Sequence, residues 1–247
     1  MVFPIGDDNT GRTRTPYVTY LLIAINVLVF VFLQGLGTNE QFTYSFSTVP
    51  QEIRTGEDVA RPVRVELGDE SATIPLQPTP GSVYFTLLIS MFMHGSLMHL
   101  LGNMLFLWIF GDNIEDDLGH VRFTSFYLAT GVLASLAHVV STFVFGDNPF
   151  IPSLGASGAI SGVMGGYLVM HPQRSVRVLI LRTMIAVPGF VAVGLWFVLQ
   201  LISAFGVIGQ GPQSGGGVAF MAHIGGFIAG VVLVKLFAIG SRPPARR

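Results

Sequence analysis

Cysteine is absent from the 247-residue sequence, which excludes disulfide bonds, thiolate metal ligands and a cysteine nucleophile. Charged residues are scarce, at 11% of the chain, and the net charge of −1 gives no support for nucleic-acid binding. Hydrophobic residues instead make up 51% of the chain, and the mean hydropathy is +0.63. This composition excludes an ordinary soluble domain and predicts a protein that lies in the lipid bilayer.

Long apolar runs predict an all-α membrane protein with six transmembrane helices. A helix needs about 20 largely apolar residues to cross ~30 Å of hydrocarbon. The runs between Gly, Pro and polar clusters give the predicted spans Tyr17–Leu33, Gly95–Phe110, Phe123–Phe145, Ser157–Met170, Val178–Phe205 and Val218–Phe237. The first run has no small-residue cleavage site close behind it, so it is interpreted as a retained span rather than a signal peptide.

A long polar first loop, residues 34–81, separates the first two spans and is expected to lie outside the hydrocarbon. The apolar stretch Val83–Met93 that follows fits either an interfacial segment or an early start of the second span. If the N-terminus is cytoplasmic, most of the basic residues fall on the cytoplasmic side: Arg12, Arg14, Arg122, Arg174, Arg177, Arg182, Lys235, Arg242, Arg246 and Arg247. This bias predicts cytoplasmic segments at residues 1–16 and 238–247, flanking a membrane domain at 17–237.

The tetrapeptide Gly155-Ala156-Ser157-Gly158 opens the shortest predicted span, which ends at Met170. Its 14 residues rise only ~21 Å, less than the hydrocarbon thickness. Because its far end reaches the cytoplasmic face, Ser157 is expected to lie ~10 Å below the outer surface. Unpaired N–H groups and the dipole at this helix N-terminus favour a developing oxyanion.

His223 is predicted to lie at a similar depth, because it is about five residues, or ~8 Å, into the last span. Small residues on the two spans favour close helix packing: Gly158, Gly162 and Gly166 on one, Gly226 and Gly230 on the other. Ser157 and His223 can then come within hydrogen-bond reach. Neutral His223 would accept the serine proton and later return a proton to the leaving amine. The sequence places no acid at this depth to act as a third member.

Two polar residues of the second span, His99 and Asn103, are spaced i, i+4 and are candidate oxyanion donors. His94 lies near the mouth of that span, out of register with them. The GxSG tetrapeptide also fits a simple helix contact, and His138 and Ser161 are interpreted as packing residues. A zinc site at His94, His99 and His223 stays open, although no H-E-x-x-H motif and no acidic partner at depth support it.

Three blocks of sequence together resemble the rhomboid intramembrane proteases: His94-Gly-Ser-Leu-Met-His99-Leu-Leu-Gly-Asn103, Gly155-Ala-Ser157-Gly158 and Ala222-His223-Ile-Gly-Gly226. A Gly111–Gly119 turn containing Glu115 adds to the likeness, which covers residues 17–237. The resemblance implies a six-helix rhomboid-type bundle whose fourth helix starts inside the membrane. It also implies a site with nucleophile Ser157, base His223, oxyanion donors His99, Asn103 and the Ser157 backbone N–H, and supporting residues His94, Gly155, Gly158 and Gly226.

The same resemblance implies transmembrane-protein substrates cut near the outer side of the bilayer and no metal or organic cofactor. The expected location is a bacterial cell (inner) membrane. The fifth span, with Pro188, Gly189 and Trp196, resembles a proposed lateral substrate gate. Ser161 stands where some relatives place an aromatic ring against the base, so the sequence does not explain how His223 is oriented. Two other functions stay open: a catalytically silent rhomboid-like protein that binds membrane clients, and a small transporter.

Overall fold

The computed structural model describes residues 2–67, 70–180, 183–208 and 219–240, most of them helical. Several residues used above lie outside the described residues: Arg182, the predicted start of the last span at Val218, and Arg242, Arg246 and Arg247 of the basic tail.

Nine α-helices and five strands are described. The helices are α1 Tyr17–Leu28, α2 Glu40–Phe46, α3 Pro50–Thr55, α4 Thr86–Ile89, α5 Leu97–Leu118, α6 His120–Phe145, α7 Ser157–Met170, α8 Gly189–Ile208 and α9 Phe220–Phe237. The strands are β1 Val2–Asp7, β2 Val63–Leu67, β3 Glu70–Ile74, β4 Ser175–Ile180 and β5 Thr183–Pro188. The first loop contains the antiparallel β2–β3 hairpin, and a second antiparallel sheet has the order β1-β4-β5.

Three described helices, α5, α6 and α9, are long and apolar enough to cross a membrane. The other apolar helices are shorter: α1 with its π-helical continuation to Leu33, α7, the first part of α8, and residues 83–92. Helices cover the predicted ranges Tyr17–Leu33 and Ser157–Met170. Residues 83–92 form three short helical turns, separated from α5 by residues 93–96.

At the centre of the helical bundle is α7, which packs against α5, α6 and α9. Every side chain and glycine from Gly158 to Tyr167 is buried. A helix that is apolar on all sides is stable only when it is surrounded, which explains why this short segment needs no polar face. The N-terminal ends of α5, α7 and α9 meet at one end of the bundle, where His223 of α9 contacts Ser157 of α7 and His99 of α5 lies beside Gly155.

The predicted span Val178–Phe205 is wrong at its start, because residues 175–188 form the β4–β5 hairpin and α8 begins only at Gly189. Val176 and Val178 are fully buried on one face of β4, while Arg177 between them is exposed. This alternation is typical of a strand, and pairing with β1 satisfies the backbone hydrogen-bonding groups of β4 on that side. The hairpin was predicted as part of the helix because most of its residues are apolar, as those of α8 are.

The predicted Gly111–Gly119 turn is also wrong, because α5 continues to Leu118 and only Gly119, at φ 78°, separates it from α6. The acidic residues do not end the helix, because residues of the N-terminal segment and of α1 form hydrogen bonds and an ion pair with them. Buried Glu115 accepts hydrogen bonds from the N–H groups of Val18 at 2.8 Å and Thr19 at 2.7 Å. Its carboxylate thereby caps the N-terminus of α1, where the helix dipole favours negative charge.

Asp7 ends β1 beside the C-terminal ends of α5 and α7, at the end of the bundle opposite Ser157, and is 5% exposed. Its Oδ2 accepts hydrogen bonds from Asn113 Nδ2 at 2.6 Å and from the Tyr167 hydroxyl at 2.9 Å. Burial raises the pKa of Asp7 to about 7, and the neighbouring Asp112 carboxyl adds to the rise. The hydrogen bonds and the Arg174 guanidinium act in the opposite direction and offset it only partly.

We expect Asp7→Asn to stabilise the protein above pH 7 and to leave stability nearly unchanged near pH 4. The folded chain keeps the Asp7 proton up to about pH 7, whereas the unfolded carboxyl has its ordinary pKa of 3.8. Wild-type stability therefore falls as pH rises between these values, and the neutral asparagine removes that loss, on the order of 4 kcal/mol. Thermal unfolding in detergent at pH 4, 6 and 8 measures this, and parallel curves would contradict it.

Candidate active site

Ser157 is the first residue of α7, and the loop that precedes it is non-helical. Gly155 has φ +131°, a conformation that favours glycine, and its N–H donates to the Ser90 carbonyl at 2.9 Å. Ala156, which precedes the helix, contributes no side-chain cap. The first N–H groups of α7, including that of Ser157, are therefore available to a negatively charged group.

The backbones of α7 and α9 touch at their glycines. A β-carbon on Gly226 would overlap the carbonyl oxygen of Gly158, and one on Gly230 would overlap that of Gly162. This contact brings His223 Nε2 to 2.8 Å from Ser157 Oγ, which is a hydrogen-bond distance. The structure therefore brings together the two residues that the sequence places at similar depth.

The second ring nitrogen of His223 has a partner, Gln200, that was not predicted from the sequence. Nδ1 lies 2.8 Å from Oε1 of Gln200 on α8. An amide oxygen only accepts, so Nδ1 carries the proton and Nε2 is left to accept from the Ser157 hydroxyl. The rings of Trp196 and Phe220 lie 6.1 and 6.4 Å from the imidazole, centroid to centroid. An amide in the middle of a largely apolar helix is the signal that would have identified Gln200.

Ser161 is buried one turn into α7, and its hydroxyl donates to the Ser157 carbonyl at 2.6 Å. This bond is consistent with the packing role predicted for Ser161. Since Ser161 contributes no ring, the aromatic contacts of His223 come instead from α8 and from the start of α9. The question of orientation that the sequence raised is thus answered by a neighbouring helix.

His99 and Asn103 lie one turn apart at the N-terminal end of α5. His99 Nδ1 accepts a long hydrogen bond, 3.5 Å, from the Gly95 N–H, so Nε2 carries the ring proton. A β-carbon on Gly155 would lie 3.1 Å from His99 Nε2 and 3.6 Å from Ser157 Oγ. The protonated edge of His99 therefore faces the loop beside Ser157. Asn103 is buried, and its Nδ2 has no hydrogen-bond partner within the part of the chain that the structure describes.

His94 is fully buried, and its ring lies 5.1 Å from that of His99 at an interplanar angle of 71°. Gln34, which follows the π-helical end of α1, bonds the His94 backbone in both directions. Its Oε1 accepts from the His94 N–H at 2.8 Å, and its Nε2 donates to the His94 carbonyl at 3.1 Å. Gln34 was not predicted from the sequence, and its amide fixes the segment leading into His99.

In residues 2–67, 70–180, 183–208 and 219–240, no three His, Cys, Asp or Glu residues are grouped so that they could hold a metal ion.

His138 lies on α6, and its carbonyl accepts from the hydroxyls of Ser141 and Thr142. Its packing role stays a prediction, as do the catalytic roles of Ser157, His223, His99 and Asn103. The arrangement as a whole combines a hydroxyl, an oriented base and unpaired donors, which is the set that acyl transfer requires.

Comparisons with known proteins identify a family that the chain resembles. The family model described as "Rhomboid domain" matches residues 81–239. The chain is 32% identical over 235 residues to "Rhomboid protease GluP" of Bacillus subtilis, covering 92% of this chain and 37% of that protein. It is 33% identical over 143 residues to "Rhomboid protein 1, mitochondrial" of Saccharomyces cerevisiae, covering 58% of this chain and 39% of that protein.

A third relative is the human "Presenilin-associated rhomboid-like protein, mitochondrial", 36% identical over 95 residues, or 38% of this chain and 24% of that protein. The matches thus span 24% to 39% of the length of these three relatives.

Proposed function

The chain belongs to the rhomboid family and is a membrane protein, and on that premise we propose that it is an intramembrane serine endopeptidase. The observation that carries the proposal is the 2.8 Å approach of His223 Nε2 to Ser157 Oγ. A hydroxyl is a weak nucleophile until a neighbouring base takes its proton. Transmembrane proteins are the proposed substrates, and the proposed protease domain comprises residues 17–237.

In the proposed reaction, Ser157 Oγ attacks the carbonyl carbon of the scissile peptide bond while its proton passes to His223 Nε2. The resulting oxyanion accepts hydrogen bonds from the Ser157 backbone N–H, His99 Nε2 and Asn103 Nδ2. His223 then gives the proton to the leaving amine, and the peptide bond breaks to leave an acyl ester on Ser157. Water, deprotonated by His223, hydrolyses this ester and regenerates the free hydroxyl.

Two features of the donors support an oxyanion site. His99 has its ring proton on Nε2, toward Ser157, because Nδ1 accepts from the Gly95 backbone. The buried Asn103 Nδ2 has no hydrogen-bond partner among the described residues, so its N–H groups can donate to a bound oxyanion. A buried donor without a partner is costly, and a bound oxyanion is the kind of group that offsets that cost during turnover.

We further propose six spans, formed by α1 with its π-helical end, α5, α6, α7, α8 and α9, with the first loop outside and both termini in the cytoplasm. Basic residues at the end of the bundle opposite Ser157 support this orientation: Arg12 pairs with Asp112, and Arg174 donates to Asn113. The bacterial relative aligns with 92% of the chain, which favours a bacterial cell membrane. Ser157 would then lie below the outer surface.

The proposal is tested by adding a single-span reporter protein to the full chain, purified and reconstituted in lipid vesicles. We expect the wild type to produce two fragments and Ser157→Ala to produce none above background. A folded wild type that binds several reporters without cutting them would identify a client-binding protein instead. Solute flux that survives Ser157→Ala, without cleavage, would identify a transporter. Fragments formed equally by Ser157→Ala would also overturn the proposal.

A further inference from the structure

The side chain that orients the candidate base comes from a helix that carries neither the serine nor the histidine. Gln200 is half-buried on α8, and its Oε1 lies 2.8 Å from His223 Nδ1. Trp196, one turn earlier on α8, places its ring 6.1 Å from the imidazole. Residues four apart share one helix face, so α8 presents both groups to His223 from the same side.

We propose that Gln200 is a positioning residue that holds His223 in the Nδ1–H tautomer, leaving Nε2 free to act as base toward Ser157. This inference rests on the proposed protease function and deepens it. A neutral imidazole has two tautomers, and the one protonated at Nε2 would donate to the serine oxygen instead of accepting its proton. A hydrogen-bond acceptor at Nδ1 is what selects between them.

The amide suits this position for a second reason. Its oxygen accepts from Nδ1–H both in the neutral ring and in the imidazolium that forms when Ser157 loses its proton. A carboxylate would do the same but would bring a charge into an apolar helix, which is expensive at membrane depth. The remaining described contacts between α8 and α9 include the stacked rings of Phe197 and Phe227, at 4.1 Å between centroids, which orient no proton.

Three variants of the full chain in lipid vesicles test the inference through reporter cleavage. Gln200→Met keeps the length of the side chain but removes the strong acceptor, and we expect kcat to fall about tenfold with KM unchanged. Gln200→Glu restores an acceptor oxygen, which a carboxyl presents in its neutral form without bringing a charge into the apolar helix, and should keep kcat within about threefold of wild type. Ile202→Ala, on the same helix and 62% exposed in the wild type, is the matched control and should behave as wild type.

A wild-type kcat in Gln200→Met would overturn the inference, and so would a loss that appears only in KM. Rescue by glutamate separates positioning from packing, because a merely structural role would not depend on an acceptor atom. If Gln200→Glu is as slow as Gln200→Met, the inference also fails.

Nitrogen-15 NMR of histidine-labelled protein reads the tautomer directly and needs no turnover, with the His223 signal assigned by its loss in His223→Gln. We expect a protonated Nδ1 in the wild type and a mixture of tautomers in Gln200→Met. An unprotonated Nδ1 in a wild type that cleaves the reporter would overturn the inference while the protease function stands. A protonated Nδ1 in a wild type that cleaves nothing would support the contact and overturn the function.

Discussion

Replacing His223 with alanine is expected to lower the cleavage rate at least about a thousandfold while the protein stays folded. The Ser157 hydroxyl has its hydrogen-bond partner at 2.8 Å in this ring, and no other described side chain bonds to it. Without the ring, the hydroxyl must attack with its proton in place, and no group returns a proton to the leaving amine. Single-turnover cleavage of the reporter in lipid vesicles measures the effect.

His138→Ala is the matched control, because it removes an imidazole from a neighbouring helix but keeps both members of the Ser157–His223 hydrogen bond. We expect its cleavage rate to stay within a few-fold of wild type. Circular dichroism and thermal unfolding should show that both variants are folded. Equal losses in the two variants would mean that His223 acts through helix packing, and a rate near wild type in His223→Ala would remove it from the mechanism.

The second large effect is expected from Gly230→Ala, which should destabilise the protein by about 3 kcal/mol or more. The added β-carbon would overlap the backbone carbonyl of Gly162, and it would also lie 2.7 Å from the Gly162 Cα. Backbone atoms cannot rotate away as a flexible side chain can, so α7 and α9 must separate. Since the same contact sets the distance between Ser157 and His223, cleavage should fall as well.

Gly194→Ala on α8 is the control for this substitution, because a β-carbon there meets no atom within 4 Å. It should leave stability unchanged or raise it slightly, since alanine is a better helix former than glycine. Thermal unfolding in detergent compares the two variants with wild type. If Gly230→Ala were as stable as Gly194→Ala, the close packing of α7 on α9 would not be the feature that assembles the site.

The parts of the fold and site that could be predicted are those with a local signal. The helix Ser157–Met170 is bounded by a GxSG tetrapeptide and by His171-Pro172, and the glycine spacing on two spans indicates the contact between them. The predicted depth of each residue along its helix depends only on the rise per residue, so the approach of Ser157 and His223 could be inferred from residue counts.

The parts that were missed depend on partners distant in sequence. The alternation of residues 175–180 becomes a strand only because β1, more than 160 residues earlier, pairs with it. Likewise α5 continues past Asp112 and Glu115 because Arg12 pairs with the first carboxylate and the Val18 N–H donates to the second. Gln200 and Gln34 bond to histidine segments 23 and 60 residues away, so neither role has a local motif.

A fluorophosphonate probe reads the activation of Ser157 without a protein substrate, because the activated oxygen displaces fluoride and forms a stable ester with phosphorus. The purified chain would be treated with the probe in lipid vesicles, and the modified residue would be located by mass spectrometry in the wild type and in His223→Ala. We predict an adduct on Ser157 in the wild type and almost none in the variant. An adduct on Ser161 or another serine, or equal labelling of Ser157 without His223, would contradict the proposed mechanism.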